Sequence, residues 1–206
     1  GIIREFKSSG ITFENLHFEG LKNCVDKAKR LNIKRFILMS ANGVKVDGTA
    51  YQQTKYKAEK YLKASGLDWT IFQPSLIFGD SKNKEEFCKQ LKNNMLSLPF
   101  PAPLFYKGLL PFDVGSCKMS PVHVSDIAKI FVKSLSEKKS IGKTYKLCAS
   151  TAISWKNIIK LIANSSGKGN KIFIPVPASL VKIFVLIFDR FSWFPISKDQ
   201  IKMLLE

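Results

Sequence analysis

Three consecutive stretches constrain this chain more than any other feature. Lys34–Ser40 is a short apolar run without alternation, Ala50–Ser65 carries a helical pattern, and Leu67–Gln73 is a second apolar run stopped by Pro74. Strand, helix and strand in such quick succession predict a right-handed parallel crossover. Runs of this kind suit strands covered on both faces, as in parallel sheets. Gly66 is expected at the C′ position of the helix, where left-handed backbone ends it.

Open α/β sheets bind ligands outside the carboxyl ends of their strands. Ser40 closes the first run there, ahead of a loop, Ala41–Thr49, that contains Gly43 and Gly48. Tyr51 and Lys55, four residues apart at the start of the helix, share one face. An ammonium beside a phenol favours the phenolate, so Lys55 is expected to pull the Tyr51 pKa down towards working pH. The Ser40 hydroxyl would then hold a carbonyl or alcohol against that tyrosine, which is the proton-transfer half of a hydride-transfer site. Taken alone, Ser40 reads as a strand-end hydroxyl that satisfies loop backbone. The spacing is also unselective in a chain with 5 tyrosines and 29 lysines. Tyr56 and Lys60 repeat it, about 140° further round the same helix.

The rest of the chain supplies context. Phe13, Leu16, Gly20, Leu21, Cys24, Val25, Ala28 and Leu31 recur at threes and fours, which predicts a helix through Ile11–Asn32 assisted at its start by Thr12 and Asn15. His17 lies on or beside its apolar face and reads as structural rather than as a ligand. Further helices are expected over Glu85–Leu96, from Ser125 as N-cap to about Leu135, and over Trp155–Ala163 capped by Ser154. Asp126 suits the positive end of its helix and is assigned to capping, not catalysis. Strands are expected at Pro121–Val124, Thr144–Leu147 and Lys171–Ile174. Leu98–Met119, rich in Pro and Phe, reads as a long loop of the kind that forms a lid or pocket wall. Leu180–Phe188 is almost uninterrupted apolar sequence, broken by Lys182. It is too short to span a bilayer and reads as a helix packed on protein, with a membrane-surface helix as the alternative.

Composition narrows the partners. A net charge of +17 invites nucleic acid, but lysine outnumbers arginine 29 to 4 and is spread along the chain. Proteins that read bases or phosphates favour the arginine fork, so nucleic acid is set aside and an anionic membrane surface preferred. Cys24, Cys88, Cys117 and Cys148 stand far apart, which argues against a zinc site or disulfide framework and for a reducing compartment. The chain opens at Gly1 and ends on an apolar helical pattern, Ile201–Glu206, so both ends are expected to be cut.

The order of these features resembles the extended and atypical short-chain dehydrogenase/reductases. His17-Phe18-Glu19-Gly20-Leu21-Lys22-Asn23 is similar to the helix such proteins write as Asn-x-x-Gly-Thr-x-Asn. Phe36–Ala41 resembles their strand ending in the catalytic serine, and Tyr51-Gln52-Gln53-Thr54-Lys55 falls where their Tyr-x-x-x-Lys does; Tyr56–Lys60 is out of register. Pro74–Gly79 resembles their proline turn, and Pro121–Ala128 their Val-x-Val-x-Asp-Val-Ala segment. Gly66–Ile71, Pro175–Pro177 with its apolar run, and Phe194–Gln200 resemble the dehydrogenase-like accessory subunit of respiratory complex I and its bacterial relatives.

The resemblance implies an α/β fold: the C-terminal part of a doubly wound Rossmann-like parallel sheet with a small α/β substrate-side region, the N-terminal nucleotide-binding strands missing. Residues 1–80 would be the second half of the NAD(P)-binding domain. Residues 81–206 would be a mixed substrate and interaction region, with Pro121–Leu135 returning to the Rossmann part. Tyr51 would donate or accept the proton, Ser40 orient the substrate, and Lys55 hold the nicotinamide ribose. Backbone around Pro74, Ser75 and Leu76 would face the nicotinamide. The implied cofactor is NAD(P)(H), with NADP(H) preferred, and the implied reaction is that of a reductase or epimerase on a carbonyl or secondary alcohol. The alternative is a non-catalytic NADP(H)-binding accessory or assembly subunit of a membrane respiratory complex. Its partners would be the other subunits, with peripheral membrane contact through Leu180–Phe188. Either protein would be cytoplasmic, at the inner face of a membrane, or on the matrix side of a mitochondrion. Two departures stand out. His17 replaces the family's asparagine, and no Gly-x-x-Gly-x-x-Gly loop occurs, so weak or no dinucleotide binding is expected of this stretch by itself.

Overall fold

A computed structural model describes residues 2–80, 86–106, 111–180, 199 and 202–203. In chain order its elements are α1 (Gly20–Arg30), β1 (Arg35–Met39), α2 (Ala50–Lys63), β2 (Asp68–Pro74), β3 (Ile77–Phe78), α3 (Phe87–Leu91) and β4 (Ala102–Tyr106). There follow β5 (Lys118–Met119), β6 (Val122–His123), α4 (Val124–Ser136), β7 (Lys143–Leu147), β8 (Ile153–Ser154), α5 (Trp155–Ser165) and β9 (Phe173–Pro177). The chain divides into two compact units, one of Gly1–Ser75 with Ser125–Cys148, the other of Leu76–Val124 with Ala149–Glu206.

The first unit is built on a parallel sheet of order β1-β2-β7. As the sequence pattern predicts, α2 makes the crossover between β1 and its parallel neighbour β2. Side chains alternate across β2, and both of its faces are filled. Ile71 joins Val25 of α1 and Leu62 of α2 in one fully buried cluster. Phe72 stacks with Phe131 of α4 and Tyr145 of β7, at ring-centroid distances of 4.9 and 5.8 Å. The expectation that both strands are buried holds only for β2. β1 is half-buried and Met39 is 49% exposed, because β1 pairs on one side only among the described residues.

The helix expected over Ile11–Asn32 begins with a π-helical turn, Glu14–Glu19, in which the Gly20 N–H reaches back to the Asn15 carbonyl, and continues as α1. Thr12 caps it, its hydroxyl accepting from the Asn15 N–H at 3.1 Å. Gly66 does adopt left-handed backbone, φ +78°, but it lies two residues beyond the α2 C-cap Ala64, not at C′. α4 starts at Val124, so Ser125 sits inside its first turn instead of capping it.

The amino ends of β1 and β2 are held by a polar knot that the apolar reading of Arg35–Met39 passed over. Arg35 donates to the Asp68 carbonyl (2.7 Å), the Thr70 hydroxyl (2.8 Å), the Ser134 carbonyl (2.6 Å) and the Ser140 hydroxyl (2.8 Å). Thr70, fully buried, passes its own proton to the Ser140 carbonyl at 2.6 Å.

The second unit packs α3, α5, β4 and the turn after α3 around Leu96, Ala102, Leu104, Trp155, Ile158, Ile159, Ile162 and Ala163. Ser154 caps α5 as expected, accepting from the Asn157 N–H. The stretch Leu98–Met119 is not a plain loop: it contains β4 and β5. β4 pairs in parallel with β9, and β5 antiparallel with β8. The last strand among the described residues is Phe173–Pro177, later than the expected Lys171–Ile174. Its prolines are tolerated because each strand of a two-stranded pair has a free edge. Beyond Leu180, the apolar run to Phe188 lies outside the described residues, as does most of Phe194–Gln200. Among the described residues no helix is long and apolar enough to cross a membrane.

Candidate functional site

The start of α2 is fixed by a reciprocal cap. The Thr49 hydroxyl accepts the Gln52 N–H at 3.3 Å, and the Gln52 side-chain oxygen accepts the Thr49 N–H at 2.7 Å. Such a box adds about 1 kcal/mol to a helix end. The other arm of Gln52 donates to the Gly43 carbonyl at 2.8 Å, and Gln53 donates to the Gly48 carbonyl at 3.1 Å. A Cβ on Gly48 would collide with the Gln52 carboxamide, so glycine is required there by close approach. The loop leaving β1 is therefore stitched to the helix that carries Tyr51. Gln52 and Gln53, unremarked positions inside the Tyr-x-x-x-Lys spacing, do the stitching. The T-x-x-Q pattern of a capping box was the available signal.

Tyr51 stands in a three-ring cluster. His17 stacks on Phe13, with centroids 5.2 Å apart and planes 16° apart, and Tyr51 meets His17 and Phe13 edge-on at 5.2 and 5.6 Å. His17 is buried and both its nitrogens are engaged. The Thr54 hydroxyl gives its proton to the Ala50 carbonyl at 2.9 Å, so it accepts from His17 Nδ1 at 3.3 Å. Nε2 accepts the Ile2 N–H at 3.2 Å, which needs a free lone pair. The ring is thus the neutral Nδ1–H tautomer. Burial first, then the Lys55 ammonium, bring its pKa down to about 4. The structural reading of His17 fits this geometry, and the π-helical turn Glu14–Glu19 is what carries it to Tyr51.

Lys55 is half-buried with Nζ 5.6 Å from the centroid of the Tyr51 ring. Burial lowers its pKa, opposed by the Glu59 carboxylate one turn on. The effect on Tyr51 runs against the sequence expectation. Its pKa is pushed up to about 12 by burial, which disfavours the charged phenolate. In the protein alone Tyr51 is a protonated donor. Tyr56–Lys60, the competing pair, has its lysine exposed on the outer face of α2. Glu59, 3% exposed, accepts from Gln73 at 2.8 Å and pairs with Lys63 at 3.6 Å, which ties α2 to the last turn of β2.

Ser40 lies one residue past β1, on the carboxyl edge. Its N–H donates to the Phe72 carbonyl at 2.7 Å, and the Asn42 N–H donates to the Pro74 carbonyl at 2.9 Å. The Ser75 N–H donates to the Leu147 carbonyl at 2.8 Å, so the ends of all three strands are laced together. The Ser40 hydroxyl is different. At 7% exposure it has no hydrogen-bond partner among the described residues. Leu76, grouped with Pro74 and Ser75 in the sequence, belongs to the second unit, where its carbonyl accepts the Val122 N–H.

The chain thus carries a protonated phenol and a half-buried amine at the start of α2, and an unpaired buried hydroxyl at the carboxyl edge of the sheet. A ligand carbonyl or hydroxyl at Ser40 would satisfy the orphan, and a ribose hydroxyl is the natural partner of an amine such as Lys55. The residues present fit a nicotinamide nucleoside on this count.

A family model described as NAD(P)H-binding matches residues 7–95. The chain is 21% identical over 201 residues to the mitochondrial NADH-ubiquinone oxidoreductase 40 kDa subunit of Neurospora crassa, covering 97% of this chain and 49% of that protein. It is 27% identical over 181 residues to the photosystem II assembly factor Ycf39 of Guillardia theta, covering 87% and 52%. Among solved structures, a double mutant of the dTDP-glucose 4,6-dehydratase DesIV from Streptomyces venezuelae, with NAD bound, superposes with a TM-score of 0.63 at 17% identity. That match covers 80% of this chain and 54% of the other. The chain spans about half the length of the curated relatives it matches.

Proposed function

We propose that this chain is an extended short-chain dehydrogenase/reductase-like protein with a Rossmann-type α/β fold, and that it carries the proton-transfer half of a nicotinamide-dependent site for a carbonyl or secondary alcohol. The observation that carries this reading is the buried Ser40 hydroxyl without a partner, at the carboxyl edge of the sheet whose neighbouring helix holds Tyr51 and Lys55. Ser40 donates to the substrate oxygen and orients it. Tyr51, protonated in the free protein, supplies the proton that the oxygen needs when a carbonyl becomes an alcohol. Lys55 holds the nicotinamide ribose, and the backbone at Pro74 and Ser75 lines the nicotinamide. When bound, the dinucleotide supplies or removes the hydride at the carbonyl carbon.

The test is Tyr51→Phe in the full-length natural protein, with cofactor oxidation followed against a panel of carbonyl substrates. Loss of an acid–base group costs about 100-fold to 10,000-fold in rate. A rate left unchanged by the substitution would overturn the assignment.

A second reading is supported by the names of the relatives, a respiratory-complex subunit and a photosystem assembly factor. Here the same site binds dinucleotide for structure, and the protein docks among the subunits of a membrane complex. The two readings separate cleanly. Cofactor binding with no turnover of any carbonyl, and co-purification with the complex that persists in Tyr51→Phe, would favour the accessory role.

A further inference from the structure

The β4–β9 ribbon has one face in a core and, among the described residues, one apolar face without cover. Ala102 and Leu104 of β4 and Phe173 of β9 join the core of the second unit. Alternation along a strand then turns Pro103, Phe105, Ile172, Ile174 and Val176 the other way. Ile172 is 67% exposed and Ile174 42%. An outward face of a half-solvated sheet is ordinarily polar, yet no position on this one is.

The apolar face continues at one end. The Ala102 N–H donates to the Ile172 carbonyl at 2.9 Å, and Lys171 Nζ donates to the Leu98 carbonyl. These bonds bring the segment before β4 alongside Ile172, where Leu98 is 46% exposed and Phe100 70%. The charge within the stretches that build it has one sign, with Asp80 and Glu86 just outside them. The stretches 87–106 and 155–180, which build the ribbon and its packing helices, contain lysines 89, 92, 156, 160, 168 and 171 and neither Asp nor Glu. Lys89 is paired with Asp80, whereas Lys92 and Lys168 are exposed. At the opposite end the Gly115 N–H, two residues after Asp113, donates to the Phe105 carbonyl.

We propose that this face, with Phe100 and Ile172 as its apolar tips and Lys168 and Lys171 beside them, seats on the headgroup layer of an anionic bilayer. Aromatic and aliphatic tips enter the boundary between headgroups and acyl chains, and lysines beside them meet the negative surface. This surface does not depend on the dinucleotide reading; Tyr51→Phe leaves it untouched.

The experiment is co-sedimentation of the full chain with vesicles of phosphatidylcholine alone and with added phosphatidylserine. The expected result is binding only when phosphatidylserine is present. Phe100→Ser and Ile172→Ser should each weaken it about tenfold, and Lys168→Gln about fivefold. Phe112→Ser, on a still more exposed loop phenylalanine outside the ribbon, should leave it unchanged. Matching thermal midpoints for all four variants exclude unfolding as the cause. Absence of binding, binding indifferent to phosphatidylserine, or equal losses in Phe112→Ser and Phe100→Ser would each overturn the proposal. So would a chain that ignores vesicles and instead holds a single-stranded oligonucleotide through Phe100 and Lys168. A chain that binds vesicles only after Leu180–Phe188 is made polar would assign the ribbon to that run and overturn it as well.

Discussion

The two ends of the β1-β2-β7 sheet are built from similar polar material and use it in opposite ways. At the amino end, Arg35 makes four hydrogen bonds to two hydroxyls and two carbonyls, and the buried Thr70 is satisfied through Ser140. At the carboxyl end, backbone groups are paired across Phe72, Pro74 and Leu147, but the Ser40 hydroxyl is buried without a partner and Lys55 is drawn in against its own solvation. A closed polar network stabilises; an open one keeps unmet bonding capacity for something else. The difference teaches where a ligand has something to gain. Substitutions at the two ends should therefore change stability in opposite directions.

The largest effect is expected at the amino end. Arg35→Ala strands the Thr70 and Ser140 hydroxyls and the carbonyls of Asp68 and Ser134 in a site that water does not reach easily. Loss of this half-buried guanidinium, which makes four hydrogen bonds although its Nε has no partner among the described residues, costs about 3 to 5 kcal/mol. Urea unfolding should show that loss in the midpoint with an unchanged slope. A cost under about 1 kcal/mol would mean that the knot is a surface feature and that the contrast between the two ends is false.

Next comes acid. His17 has a folded pKa near 4 against an ordinary value of 6.5, so the unfolded chain binds the proton more readily. Stability that is fully present above pH 6.5 is therefore lost as pH falls towards 4, by about 3 kcal/mol in all. The slope should vanish in His17→Phe, which keeps the stack on Phe13 but has nothing to protonate. Lys55→Met should shift the acid midpoint downward in severity, because the ammonium is the second cause of the depression. A midpoint in His17→Phe that still tracks pH between 6.5 and 4 would locate the titration elsewhere.

Much of this was legible in the sequence because it rests on local pattern. The β1-α2-β2 crossover follows from two apolar runs and a helical spacing, and the Ser154 cap from one residue type at one place. What escaped depends on distant contacts. Arg35 looked like the edge of an apolar run because its partners are as far away as Ser140. β4 was hidden among prolines because its partner β9 lies some seventy residues on, and pairing of that kind leaves no periodic mark in a proline-rich stretch. The Tyr51 pKa was misjudged in direction for a related reason. Spacing along α2 reveals the lysine, but not the Phe13 and His17 rings that exclude water from the phenol.

The smallest effect is the most telling, since its sign alone decides. Ser40→Ala removes a buried hydroxyl that makes no hydrogen bond, at 7% exposure. Nothing favourable is lost and one desolvated polar group disappears, so stability should rise by about 1 kcal/mol. Turnover, or cofactor retention if the protein is an accessory subunit, should fall in the same variant. Stability gained where function is lost is the mark of a group kept for a ligand. Arg35 cannot show that pairing of outcomes, because its loss breaks four hydrogen bonds within the fold. If Ser40→Ala is instead destabilised, the hydroxyl has a partner within the folded chain. The older reading of a strand-end serine that serves its own loop would then be the correct one, and the two ends of the sheet would be alike.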